Sequence, residues 1–389
     1  MWTRERLFIG GKWVTPATAE TLEVISPSTE HVVGRVPAGG AADVDHAVEA
    51  ARAAFDTGPW PRLSPDERAG ALERIADLLA QRAAEITEVI TSSAGFPITQ
   101  TRLAQIALPQ AFLRYYAGLI RSTPLDQRRV GVLSAVHVRH TPIGVVGAIV
   151  PWNIPLLGTI ATLAPAWAAG CTAVLKPAPH TPLDAFLLAE ITEAAGLPPG
   201  VFNVVPGGPV AGARLVAHPG VDKISFTGST ETGKRIAASC AQSVKSCVLE
   251  LGGNAASVVL DDARAEQVAT GLVRSGLAVN SGQACIAQTR VVVPHARAGE
   301  ITDALVAATQ AIPVGDPFDE ATLIGPMISS AHRDRVRELI EIGRAEGATL
   351  LTGGTAPTHP DHGWYITPAV FAGVHNDMRI ARREISARW

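Results

Sequence analysis

Four short segments of this chain join a chemically capable side chain to the glycines and prolines that fix a loop. Asn280-Ser281-Gly282-Gln283-Ala284-Cys285 sets a thiol just after a Gly-Gln turn. A thiolate there could act as a nucleophile, although a cysteine is also commonly an inert core residue. Leu249-Glu250-Leu251-Gly252-Gly253 places one carboxylate in an apolar strand that ends in two glycines. Burial would raise its pKa toward that of a usable base; the alternative is a strand-end glutamate paired with a nearby cation. Pro151-Trp152-Asn153-Ile154-Pro155 freezes a turn around an amide. That carboxamide could donate to a developing oxyanion, or it could simply cap the turn.

The fourth segment, Phe226-Thr227-Gly228-Ser229-Thr230-Glu231-Thr232-Gly233, follows an expected strand and opens an expected helix. Helix N-termini present unpaired N–H groups and a favourable dipole to phosphate, although a plain Ser-capped helix has the same appearance. Gly228, Gly233 and Lys234 match most of a P-loop pattern, but Arg235 stands where a hydroxyl should hold Mg²⁺, and no GxGxxG occurs. A P-loop phosphotransferase is therefore disfavoured.

These loops need a scaffold. A chain of 389 residues is too long for one ordinary core and suggests two or three domains. From residue 143 onward short apolar runs alternate with helical segments: Ile143–Val150, Thr172–Lys176, Val201–Val205, Lys223–Phe226 and Cys247–Leu251. Such alternation predicts βαβ units, a parallel sheet, and ligands at the strands' carboxyl ends. A second α/β region is expected from Ala256, with strands at Ser257–Leu260 and Thr289–Val293. Residues 43–120 read as helices, including one over Thr99–Leu119, and promise little chemistry. Thr141–Leu175 contains no Asp, Glu, Lys or Arg, yet Pro142, Pro151, Pro155 and Pro165 interrupt it. We read it as strand, turn, helix and strand in a covered core, not as a membrane span.

With 33 Lys+Arg against 36 Asp+Glu the chain offers no field for a polyanion, so no nucleic acid partner is expected. The four cysteines, Cys171, Cys240, Cys247 and Cys285, include no CxxC pair, and no metal site is expected from them. Met1–Arg6 carries three charges without a following apolar run. A reducing cytoplasm is the expected compartment.

Taken in order, PWNIP (151–155), LKP (175–177), FTGSTETG (226–233), LELGG (249–253) and NSGQACIAQTR (280–290) resemble the NAD(P)-dependent aldehyde dehydrogenase superfamily. The resemblance extends from Phe8-Ile9-Gly10-Gly11 to Ile324-Gly325-Pro326. It implies an α/β architecture with a Rossmann-type NAD(P)-binding domain (1–122 and 143–252), an oligomerisation arm (123–142) and a second α/β catalytic domain (253–389), assembled as dimers or tetramers. It further implies Cys285 as nucleophile, Glu250 as general base, and Asn153 with the Cys285 N–H as oxyanion hole. Trp152, Gly228, Ser229 and Gly233 would approach the nucleotide, Lys176 the adenine ribose and Glu384 the nicotinamide ribose. Aldehyde oxidation with NAD, or NADP, as hydride acceptor follows.

Two departures shape the expectations. Pro179 occupies the place of a glutamate that clamps the adenine ribose in NAD-selective relatives, so weak discrimination against NADP is expected. Relatives also continue through Phe-Gly-Pro, whereas this chain reads Ile385-Ser386-Ala387-Arg388-Trp389. The resemblance thus implies a C-terminally incomplete catalytic domain. On that basis the alternative to an active dehydrogenase is an inactive remnant that retains a nucleotide-binding domain, with doubtful oligomerisation.

Overall fold

Apolar runs bounded by glycine and proline build the central sheet of the protein, a computed structural model that describes residues 1–383. Its seven strands lie in the order Ser246–Leu251, Lys223–Gly228, Val145–Ile149, Thr172–Lys176, Phe202–Val204, Leu7–Ile9 and Lys12–Val14. The first five run parallel, as the strand–helix alternation requires. The last two form a hairpin that adds an antiparallel edge, which the sequence reading did not foresee. Ile9 pairs with Lys12 across Gly10 and Gly11. Both glycines have positive φ, 62° and 71°, as a two-residue turn matched to the strand twist demands.

Val145–Ile149 and Thr172–Lys176 are buried at every residue, the mark of a sheet covered on both faces. Alternate side chains go to opposite sides. Ala173 and Leu175 pack with helices Pro65–Gln81, Leu108–Ser122, Pro155–Ala169 and Leu183–Ala194, whereas Val174 packs with Ala41–Asp56 and Pro209–Ala217. The edge strand Ser246–Leu251 differs, since it alternates exposed and half-buried residues along its length.

Helix Pro65–Gln81 starts with a capping box in which the Ser64 N–H donates to the Glu67 carboxylate at 2.7 Å and Ser64 Oγ accepts the Glu67 N–H. The helix expected over Thr99–Leu119 is not continuous. Ile98–Thr101 is α-helical, Arg102–Ala107 widens into a π-helix, and Leu108–Ser122 resumes the α form. Pro109 supplies the physical reason, because it has no N–H to continue the ladder and is tolerated in a new first turn. Residues 126–139 form an exposed hairpin, Asp126–Val130 against Ala135–Arg139, with Val132 and Leu133 fully exposed at its tip.

The second region is built on smaller units. Ala256–Val258 pairs in parallel with Arg290–Val292, and helices Ala265–Leu272 and Ala298–Gln310 cover the pair. Both strands are shorter than expected. Helix Ser330–Ala345 and the pair Thr349–Thr352 with Val370–Ala372 follow. Gly95 and Gly325 meet at the seam between the two regions. A Cβ on Gly95 would lie 2.7 Å from Pro326 Cγ, and one on Gly325 would collide with the Gly95 carbonyl.

Candidate active site

The carboxyl ends of three parallel strands open into one cleft. Val145–Ile149 delivers Pro151, Trp152 and Asn153; Lys223–Gly228 delivers Thr227 and Gly228; Ser246–Leu251 delivers Glu250 and Leu251. Cys285 reaches the same cleft from the second region. Thus Asn153, Glu250 and Cys285, separated by up to 132 residues in sequence (285 − 153), line one space.

Glu250 corrects the sequence reading. Its strand lies at the sheet edge, opposite Thr227 in register, and its side chain is exposed. The expected desolvation of a buried carboxylate is therefore absent, because an edge strand is covered by only one neighbour. Glu250 instead meets water directly.

Asn153 is buried, and its Nδ2 donates to the Gln283 carbonyl at 2.8 Å. Asn280 Nδ2 returns the contact, donating to the Asn153 carbonyl at 2.9 Å and to that of Gln283 at 3.3 Å. The turn that precedes Cys285 is left-handed at three successive residues: Asn280 at φ 49°, Ser281 at 58° and Gly282 at 74°. Two of these are not glycine, so the turn carries backbone strain of about 1–2 kcal/mol per residue that its surroundings must hold. Gln283, 1% exposed, does part of this: its Nε2 donates to the Pro326 carbonyl at 3.1 Å and its Oε1 accepts the Ile328 N–H at 3.0 Å. Ser281 Oγ accepts the Gly325 N–H at 2.8 Å.

On the nucleotide side, Ser229 caps helix Thr230–Gln242 by accepting the Thr232 N–H at 3.3 Å, and its Oγ donates to Thr232 Oγ1 at 3.0 Å. A Cβ at Gly228 would lie 2.5 Å from the Phe226 ring. Gly233 is not among the residues lining the cleft, and its missing Cβ lets the helix pack on Leu251, 2.6 Å from where that atom would stand. Lys176 is buried at the end of Thr172–Lys176, and Nζ donates to the Pro177 carbonyl at 2.9 Å and the Gly207 carbonyl at 3.1 Å. Burial pulls its pKa down to about 8, and no carboxylate pairs with it among the described residues. An ammonium has three donors, so one is left for a ribose hydroxyl. These groups fit a dinucleotide laid across the strand ends. Glu384 lies outside the described residues.

Sequence reasoning dismissed residues 43–120, yet two of their amides serve this site. Gln105 Oε1 accepts the Leu157 N–H at 3.0 Å, holding the helix that follows Asn153. Gln100 Oε1 accepts the Asn280 N–H at 2.9 Å. Side-chain amides have no sequence signature. The Asn-Ser-Gly tripeptide at 280–282, whose residues favour or tolerate left-handed backbone, was the one available signal.

A doubly covered parallel sheet whose carboxyl edge faces a cysteine loop and a carboxylate is the frame of a nucleotide-binding α/β enzyme. The chain belongs to the aldehyde dehydrogenase family, whose family model matches residues 13–387. It is 43% identical over 382 residues to geranial dehydrogenase of Castellaniella defragrans, covering 98% of this chain and 79% of that one. In structure it is similar to a Mycobacterium tuberculosis aldehyde dehydrogenase complexed with NAD+, with a TM-score of 0.95, 42% identity, and 99% and 80% of the two chains covered. It also resembles aldehyde dehydrogenase C of Pseudomonas syringae in complex with NAD+ and octanal, with a TM-score of 0.94, 39% identity, and 98% and 78% covered. The protein is an NAD-dependent enzyme of aldehyde oxidation. The remnant alternative gains no support from these comparisons. Among the described residues no helix is long and apolar enough to cross a membrane.

Proposed function

We propose that Cys285 carries the covalent chemistry, Glu250 the hydrolytic step, and Asn153 with the Cys285 N–H the oxyanion. The observation that supports this most is the shared cleft, which takes in Cys285 and none of the other cysteines. Cys171 and Cys240 are buried elsewhere, and Cys247 lies on the edge strand.

The Cys285 thiolate attacks the aldehyde carbon, and the carbonyl oxygen becomes an oxyanion. Asn153 spends one N–H on the Gln283 carbonyl, which fixes the amide and leaves the second N–H for that oxygen. Bound NAD supplies the hydride acceptor. Loss of hydride from the hemithioacetal leaves a thioester on Cys285. Glu250, open to solvent, takes a proton from water as its oxygen attacks the thioester carbon; the acid leaves and the thiolate is restored. Lys176, Gly228, Ser229 and Trp152 bind the nucleotide in this reading, with Gly233 keeping the helix close to the strand.

Residues 1–122 with 143–252 form the nucleotide domain, 123–142 the arm and 253–389 the catalytic domain. The exposed apolar tip of the arm suits a homo-oligomer. Pro179 offers no carboxylate against a 2′-phosphate, so NADP is accepted alongside NAD. A catalytic thiol fits a reducing cytoplasm, and the balanced charge fits a protein that binds no nucleic acid.

Stopped-flow absorbance of reduced cofactor tests the assignment. Cys285→Ala should form none, and Glu250→Gln should give a burst near one equivalent per site and then stall. Sustained turnover by either variant removes that residue from its role.

A further inference from the structure

The left-handed turn ahead of Cys285 is held from outside its own region. Gln100 lies on the short helix Ile98–Thr101 of the helical layer, 185 positions before the thiol (285 − 100). Its side chain is bidentate: Oε1 accepts the Asn280 N–H at 2.9 Å, and Nε2 donates to the Leu323 carbonyl at 3.0 Å. The first bond meets the first residue of the strained turn. The second ties the same amide to the segment whose Gly325 and Ile328 N–H groups reach Ser281 and Gln283. Asn280 has no other backbone donor, so without Gln100 this N–H would be unsatisfied in a part-buried place, and relaxation toward right-handed backbone would satisfy it at the expense of the turn. Such a relaxation would move the Gln283 carbonyl, which is the hydrogen-bond acceptor that orients Asn153.

The geometry points to Gln100 as a positioning residue for the reaction, one that keeps the Asn280–Gly282 turn left-handed and thereby sets the distance between the Cys285 thiol and the Asn153 amide. This rests on the assignment of Cys285 and Asn153 made above. Gln100 touches neither substrate nor nucleotide in this role. Its effect belongs in kcat and not in cofactor affinity.

The test compares Gln100→Leu, which removes both bonds, with Gln100→Glu, which keeps an oxygen for the Asn280 N–H. Hydrogen–deuterium exchange of the 280–285 peptide is read beside kcat, KM and the NAD dissociation constant. In Gln100→Leu the exchange should speed up and kcat should fall roughly tenfold or more, since small displacements of reacting groups are costly, while NAD affinity stays within about twofold. Gln100→Glu keeps the acceptor for Asn280 but loses the donor to the Leu323 carbonyl, so its protection and kcat should fall between those of the parent protein and of Gln100→Leu. Unchanged exchange in a folded Gln100→Leu overturns the proposal whatever the rate does. Faster exchange with an unchanged kcat overturns it too, and Cys285→Ala then shows whether the thiol assignment itself stands. Should Gln100→Leu fail to fold, Gln100→Glu decides alone: a folded variant whose 280–285 exchange speeds up with no fall in kcat refutes the inference.

Discussion

The two sides of the cleft are positioned by different forces. On the nucleotide side, strands such as Thr172–Lys176 are buried throughout and feed two large apolar clusters, so the loops after them are placed by packing. On the thiol side the apolar clusters are small: Val259, Ala265 and Ile301 in one, and Val273, Ile312 and Ile324 in the other. There the Cys285 loop is placed by side-chain amides of Gln100, Asn280 and Gln283. Packing is non-directional and tolerates small changes in angle, whereas hydrogen bonds fix direction. A packed frame therefore carries the strand-end loops, and a directional clasp carries the Cys285 loop.

Substitutions on either side can separate the two kinds of control. The largest change is expected from Leu175→Ala, at a fully buried strand position flanked by Ala148 and Val204. It should cost about 2–5 kcal/mol in urea unfolding while the folded fraction keeps its kcat. A large loss of kcat at full folding would show that packing also tunes the chemistry. Next comes Asn153→Ala, at the junction of the two sides. Loss of an oxyanion donor should lower kcat by about 10²–10³, or about 3–4 kcal/mol, beside a loss of about 1–3 kcal/mol in unfolding from the broken bond to the Gln283 carbonyl. An effect below tenfold would take Asn153 out of the oxyanion hole. The third concerns Lys176, whose pKa burial lowers from 10.5 to about 8. The unfolded chain holds this proton more tightly, so between pH 8 and 10.5 the folded protein gains stability as pH rises, by at most about 1.4 kcal/mol per unit. Lys176→Met should abolish that rise in nucleotide-free protein, and denaturant titrations across this pH range measure it.

The same division explains what could be read from the sequence. Thr172–Lys176 was legible to the residue, because a run of buried apolar positions between Gly170 and Pro177 has few other uses. Helix Pro65–Gln81 was legible at its start from Ser64, Pro65 and Glu67. The motif residues could be singled out because glycine and proline mark loops. The exposure of Glu250 was not legible, since Leu-Glu-Leu fits a buried strand and an edge strand equally well, and only the sheet order decides between them. The reach of Gln100 was not legible either, because it depends on a partner 180 residues away; the π-helical turn at 102–107 was missed although its cause, Pro109, lies close by in the chain.

The facing glycines at 95 and 325 give the enzyme a mechanical tolerance. Where two backbones touch without side chains between them, the gap across the seam is set by atomic radii and cannot be narrowed. The Gly325 N–H is held by Ser281, so any shim placed in that gap is passed straight into the turn before Cys285. A methyl group on Gly325 would stand 2.2 Å from the Gly95 carbonyl oxygen, so one of the two backbones would have to give way. The seam thus works as a gauge block: the place of the turn before Cys285 is set in part by a contact that the thiol itself does not make.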